Sequence, residues 1–182
     1  MARKATPQMN GHASRTSAPT GLYSAEERAR RDETVWTTIQ GVLAPLQFAV
    51  FLVSLVLVVR YLWNGEGYVI ATWSIVLKTM LLYLIMVTGA IWEKIVFGQY
   101  LFAPAFFWED VFSFAVIALH TAYIWALFSD AMSTTNLMIL ALTAYGAYVI
   151  NAIQFILKLR AARLQAAAAS DTTSDTTPEV AA

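Results

Sequence analysis

The chain has 182 residues, of which 58% are hydrophobic and 13% charged, against about 25% charged residues in ordinary soluble domains. Its formal net charge is zero, so the charge balance gives no reason to expect nucleic acid as a partner. Cysteine is absent, which excludes disulfides, thiolate nucleophiles, iron–sulfur clusters and Cys-ligated zinc.

The amino-terminal segment is polar. Residues 1–21 are rich in Ala, Ser, Thr, Pro and Gly, a composition that predicts a disordered cytoplasmic leader. Residues 22–34 are predicted to form a short cytoplasmic helix, because Ser24 and Glu27 match the Ser-x-x-Glu capping box. We interpret the charges of this helix as a surface that faces water.

Four hydrophobic spans follow, each near the roughly 20 residues that cross a bilayer. They are expected at residues 35–62, 69–97, 105–128 and 136–159, with turn signals between the last three. The sequence therefore predicts an all-α, polytopic membrane protein. Its bundle of four transmembrane helices occupies residues 35–164, and a disordered tail occupies residues 165–182.

Lys and Arg indicate the orientation of the bundle. They flank the first span on its amino-terminal side and the end of the fourth span, whereas Glu66 and Asp130 are the charged residues of the two loops assigned to the outside. The positive-inside rule then places both termini in the cytoplasm.

Polar residues from all four spans fall at one level, near the cytoplasmic side, when a rise of about 1.5 Å per residue is applied. This level predicts a polar pocket that faces the cytoplasm. Pro45 is expected either to kink the first span and widen this pocket or to be a plain helix irregularity. The polar residues are Gln40, Gln47, Glu93, Glu109, Asp110, Asn151 and Gln154.

Three of these residues carry carboxyl groups in apolar, aromatic surroundings: Glu93, Glu109 and Asp110. Three crowded carboxyl groups cannot all ionise cheaply, so at least one is expected to keep its proton near neutral pH and to serve as a general acid. The alternative is a set of interfacial charges at helix ends, which is also the simpler interpretation of Lys94.

His120 shares one helix face with Glu109, Ser113 and Val116, and this face is expected to point into the bundle. The imidazole is a candidate for a hydrogen bond to a neighbouring helix, or for ligation of the metal of a haem or chlorin. Lys78 either extends towards the outer surface or pairs with a group inside the bundle. No HExxH motif, P-loop, GxSxG elbow or dinucleotide fingerprint is present.

Over about residues 22–165, the chain resembles the 3-vinyl bacteriochlorophyllide hydratase family. The long central run is the most specific part of the resemblance. The matching runs are 40–48 (QGVLAPLQF), 88–94 (TGAIWEK), 97–110 (FGQYLFAPAFFWED), 119–123 (LHTAY), 148–152 (YVINA) and 158–164 (KLRAARL).

The resemblance implies a hydro-lyase of bacteriochlorophyll synthesis in the inner (cytoplasmic or intracytoplasmic) membrane. Such an enzyme adds water across the C3 vinyl group of chlorophyllide or bacteriochlorophyllide and gives a 1-hydroxyethyl group. It implies no cofactor, because the Mg is carried by the chlorin substrate. Other enzymes of the pathway are candidate partners; the preferred pigment form and the oligomeric state stay open.

This reaction needs an acid, a base and a flat apolar slot. We assign the acid to Glu109 or Glu93 and the water-positioning base to Asp110. His120 is a candidate ligand of the substrate Mg or a proton shuttle, and Lys94 a candidate partner of the substrate propionate. The slot is assigned to stacking aromatic residues and to polar residues of the fourth span: Tyr100, Phe106, Phe107, Trp108, Asn151 and Gln154.

Two other functions use the same residues. A non-catalytic tetrapyrrole carrier or assembly factor would use His120 and the aromatic slot, but it would not need the three carboxyl groups. A proton-coupled transporter would use Lys78, Glu93 and His120 as a relay. The transporter requires polar residues that continue to the outer face, where three of the four spans are nearly apolar.

Overall fold

The structure is a computed structural model that describes residues 22–174; the predicted leader at 1–21 and the tail residues 175–182 lie outside this range. Within it the chain forms five helices and no strand, which confirms the predicted all-α fold. Four of the helices are long and apolar enough to cross a membrane. The helices are α1 (Ala25–Glu33), α2 (Val35–Asn64), α3 (Tyr68–Phe97), α4 (Phe107–Phe128) and α5 (Thr134–Ser174).

The short helix α1 begins at the predicted capping box. The Ser24 hydroxyl accepts a hydrogen bond from the Glu27 N–H at 3.2 Å, and the Glu27 carboxylate accepts one from the Ser24 N–H at 2.7 Å. Its charged face is exposed, but α1 also docks on the end of α3: Arg30 Nε donates to the Val96 carbonyl at 2.9 Å. The charges of α1 thus face water as predicted, and the helix also contacts the membrane bundle.

Glycines end the first two spans. Gly65 and Gly98 follow α2 and α3 with φ of 74° and 84°, a left-handed conformation that glycine adopts without a Cβ clash. The Gly98 N–H donates to the Lys94 carbonyl and closes the last turn of α3.

The last helix is longer than predicted. α5 continues from the fourth span to Ser174, into the segment that composition assigned to a disordered tail. The stretch after Leu164 contains a run of alanines, which have the highest helix propensity and extend the preceding helix. Disorder therefore does not begin at residue 165.

The bundle consists of two helical hairpins: α2 packs chiefly along α3, and α4 chiefly along α5. A main apolar core, which includes Phe51, Val58, Ile75, Tyr123 and Met138, joins the two hairpins. The outward faces expose many large apolar side chains, as expected where lipid rather than water is the solvent. The remaining space between the hairpins, near α1, is the site described next.

Candidate active site

A cavity of about 1510 Å³ lies between the two hairpins, with α1 along one end. It exceeds the roughly 300–1,000 Å³ of pockets for drug-sized ligands, so it suits a larger molecule. Its walls are mainly apolar and come from all five helices. The structure brings five of the seven polar residues of the predicted pocket to this cavity: Gln40, Gln47, Glu93, Asp110 and Asn151.

The cavity is not closed on all sides. Phe48 of α2 and Ile156 and Leu159 of α5 line it, yet they are 45%, 63% and 43% exposed. These residues belong to membrane-spanning helices, so the cavity opens between α2 and α5 towards the lipid. Pro45 lies on the same wall, within an uninterrupted α2.

Glu93 and Asp110 form a carboxyl pair on the cavity wall. Their side chains are buried and lie near each other on this wall, although they come from different hairpins. Two carboxyl groups this close in an apolar site cannot both be ionised, so the pair is suited to hold one proton between them.

The loop between α3 and α4 holds this pair in place. The Phe102 N–H donates to Asp110 Oδ2 at 2.6 Å, and the Ala103 N–H donates to Glu93 Oε2 at 3.3 Å. Phe102 has a φ of 59°, uncommon for a residue with a side chain, and this conformation accompanies the short bond to Asp110. The loop therefore holds the Asp110 carboxyl through a shorter hydrogen bond than the Glu93 carboxyl.

Glu109 faces a different group. Its Oε2 accepts a hydrogen bond from Lys158 Nζ at 2.6 Å, in an ion pair that joins α4 to α5, and Glu109 does not line the cavity. This ion pair turns the Glu109 carboxylate towards Lys158 and away from the cavity. Of the two residues that sequence reasoning offered as the acid, the geometry favours Glu93.

Amide side chains complete the polar wall. Asn151 Nδ2 donates to Ser113 Oγ at 2.9 Å, and Asn151 Oδ1 has no hydrogen-bond partner among the described residues. Gln40 Nε2 donates to Thr88 Oγ1 at 2.7 Å, and the buried Gln47 also lines the cavity. Gln154 does not line the cavity. Asn151 is therefore the fourth-span amide that can reach a bound molecule.

The aromatic residues of the central run divide into two sets. Phe106 is buried and lines the cavity, where it packs with Trp92, Tyr23 and Phe155. The other three residues assigned to the slot do not line it, because the loop turns them outward; they are Tyr100, Phe107 and Trp108, which are 61%, 43% and 66% exposed. The sequence showed the aromatic composition but not the direction of each ring.

Lys78, Lys94 and His120 do not line the cavity. Lys94 is exposed and donates to the Gly98 carbonyl at 2.7 Å, so it caps its own helix and does not line the cavity. Lys78 is buried, with Nζ 3.6 Å from the centroid of the Tyr148 ring. His120 is buried outside the cavity, and its Nδ1 contacts the carbonyl oxygen of Val116 in its own helix.

Sequence reasoning missed the contribution of α1. Tyr23, Arg28 and Arg31 line the cavity, as does Arg163 near the end of the fourth span. Burial raises the pKa of the Tyr23 phenol above its ordinary value of 10.0, and the adjacent Arg31 opposes the rise. The apolar Leu22 and Tyr23 just before the capping box were the available signal, since such residues often pack against the helix that they precede.

Across residues 22–174, no three His, Asp or Glu side chains are grouped so that they could hold a metal ion.

The comparisons with known proteins agree with one another. The family model of 2-vinyl bacteriochlorophyllide hydratase (BCHF) matches residues 23–161. The chain is 71% identical over 146 residues to the 2-vinyl bacteriochlorophyllide hydratase of Rhodobacter capsulatus, covering 80% of this chain and 85% of that protein. It is 68% identical over 148 residues to the protein of the same name from Cereibacter sphaeroides, covering 81% and 92%.

No solved structure matches the chain. The family match covers the first three membrane spans, most of the fourth, and the connection between α3 and α4. The chain is a hydro-lyase and belongs to the 2-vinyl bacteriochlorophyllide hydratase family.

Proposed function

We propose that this protein hydrates the vinyl group of a chlorophyllide or bacteriochlorophyllide and converts it to a 1-hydroxyethyl group during bacteriochlorophyll synthesis. The names 2-vinyl and 3-vinyl denote the same group in two numberings of the ring. The observation that carries the mechanism is the Glu93–Asp110 pair on the wall of a large apolar cavity. The names of the relatives supply the substrate class.

The reaction begins with transfer of a proton from Glu93 to the terminal CH2 of the vinyl group. The vinyl π bond breaks and a C–H bond forms, which leaves a cation on the carbon attached to the macrocycle. The conjugated ring delocalises this charge. A water molecule then attacks the cation, and the carboxyl pair takes up the extra proton. The acid is regenerated, one water is added, and no electrons are transferred.

Asp110 acts as the base that orients the water and receives its proton, with Asn151 Oδ1 as a second acceptor for the same water. The loop N–H groups at Phe102 and Ala103 keep one oxygen of each carboxyl group fixed. The pair therefore keeps its orientation when a pigment enters, which is the geometric requirement for general acid–base catalysis.

The cavity suits a flat pigment that is soluble in the membrane. Its apolar walls and the Phe106, Trp92 and Phe155 rings can pack against a macrocycle. The opening between α2 and α5 gives a path from the lipid. The Arg residues of α1 and the basic end of the fourth span support an inner membrane location with both termini in the cytoplasm.

Pigment conversion tests the proposal. Membranes that contain this protein are incubated with a 3-vinyl chlorophyllide, and a mass gain of one water is followed by chromatography. A 1-hydroxyethyl product that is lost in Glu93→Gln supports the proposal. Tight binding of the pigment without conversion would instead identify a non-catalytic carrier.

A further inference from the structure

Arginine side chains stand at the α1 end of the cavity. Arg28 and Arg31 project from α1, and Arg163 projects from the last part of the fourth span. These groups come from two distant parts of the chain and meet the same cavity. The acid–base chemistry proposed above uses none of them.

The three arginines differ in the contacts that their guanidinium groups make with other residues. Arg31 pairs with Asp32 at 2.6 Å and lies over the Tyr23 ring, 4.8 Å from its centroid. In the described part of the chain the ion pairs involve Arg31, Arg60 and Lys158, so Arg28 and Arg163 have no acidic partner there. Both side chains are exposed, where water can solvate them while the cavity is empty.

We infer that Arg28 and Arg163 bind the free propionate carboxylate of the pigment and thereby select the acid over its ester. This inference rests on the proposed function and adds to it the group by which the pigment is oriented. A guanidinium presents parallel N–H donors that match the two oxygens of a carboxylate. Arg28 of α1 and Arg163 of α5 both line the cavity, so a carboxylate at its α1 end faces the wall that carries their guanidinium groups.

The free-energy cost of burying a charge determines which end of the pigment can enter the apolar interior of the cavity. A carboxylate is costly to place among apolar walls, so it stays at the mouth beside water and the arginines. The uncharged vinyl end can enter the apolar interior, where the Glu93–Asp110 pair lies. The arginines therefore set the direction of insertion as well as adding affinity.

An ester of the propionate has no charge for the two arginines, so we expect the ester to bind more weakly than the acid.

The test compares a 3-vinyl chlorophyllide with its methyl ester, using the full-length protein in lipid nanodiscs. We measure KM and kcat for hydration in wild type, Arg28→Gln, Arg163→Gln and the double variant. Arg160→Gln is the matched control, because Arg160 lies on the same helix, is exposed and does not line the cavity. Binding of each pigment is measured in parallel from its fluorescence.

Each single variant is expected to raise KM for the acid about 3- to 10-fold and the double variant about 10- to 100-fold, with kcat little changed. The KM for the methyl ester should start higher in wild type and change little in the variants. Arg160→Gln should resemble wild type with both pigments.

Equal KM values for acid and ester in wild type would overturn the inference without the need for any variant. So would a double variant with an unchanged KM for the acid. In both cases hydration proceeds and the proposed function stands. Failure of wild type to hydrate either pigment would overturn the proposed function; the acid-to-ester ratio of the binding constants would then test the arginines by itself.

Discussion

The carboxyl pair gives the sharpest prediction, because the structure separates Glu93 and Asp110 from Glu109. In Glu93→Gln the amide can still donate to Asp110 and accept from the Ala103 N–H at the position of the present 3.3 Å bond, so packing is kept. The amide cannot deliver a proton. We expect kcat/KM for hydration to fall about 10²- to 10⁴-fold, the usual contribution of a positioned acid or base.

Two substitutions of Asp110 distinguish a loss of catalysis from a loss of folding stability. Asp110→Asn keeps an oxygen that accepts the 2.6 Å bond from the Phe102 N–H, so it should lose hydration at near-normal stability. Asp110→Ala leaves this N–H without a partner in a loop with positive φ at Phe102, which costs about 1–3 kcal/mol of folding free energy in addition. Thermal unfolding in detergent with matched activity assays measures both effects.

Glu109→Gln is the matched control, since Glu109 is adjacent in sequence and carries the same functional group. It removes the charge from the ion pair with Lys158, but the amide oxygen can still accept the hydrogen bond from Lys158 Nζ. Hydration should change by less than about tenfold. A loss of activity in Glu109→Gln as severe as in Glu93→Gln would refute the assignment, and so would Glu93→Gln with near-normal turnover.

Three further predictions concern the cavity and α1. Gly41 lines the cavity, and a Cβ at this position would meet nothing within 4 Å. Gly41→Phe should therefore fill the pigment space and abolish hydration without lowering the melting temperature. Gly146 is equally open but lies outside the cavity, so Gly146→Phe should stay active. Arg30→Gln removes the bond to the Val96 carbonyl, so amide hydrogen exchange in α1 should increase while exchange in the membrane helices does not. Burial raises the pKa of the Tyr23 phenol above 10.0. The folding stability that the docked, neutral phenol provides is therefore present below pH 10 and is lost as the pH rises beyond it. In a pH titration, the tyrosinate absorbance that Tyr23→Phe removes should appear only above pH 10.

The membrane architecture could be predicted from the sequence because it depends on local properties. Span lengths follow from runs of apolar residues, and the start of α1 follows from Ser24 and Glu27, which interact within a single turn. The common level of Gln40, Gln47, Glu93, Asp110 and Asn151 followed from the rise of a helix. Each of these inferences needs only distances along one helix.

The direction in which individual side chains point could not be predicted from the sequence, because it depends on contacts between helices. Tyr100, Phe107 and Trp108 belong to the same aromatic run as Phe106, but the path of the loop turns them away from the cavity. Lys94 caps its own helix rather than facing a ligand. These outcomes depend on backbone angles such as the positive φ at Phe102, and a pattern of residue types does not encode them.

By itself, the sequence determined that this is a four-span helical membrane protein with acids and amides at one depth, because hydropathy and helical periodicity act along the chain. Only the tertiary structure decided which acids meet. It pairs Glu93 with Asp110 across two hairpins and assigns Glu109 to Lys158. It also brings α1, which sequence reasoning assigned to water, to the mouth of the cavity. The physical reason is that a carboxyl group's role depends on its nearest partner, and these partners come from helices far apart in the sequence.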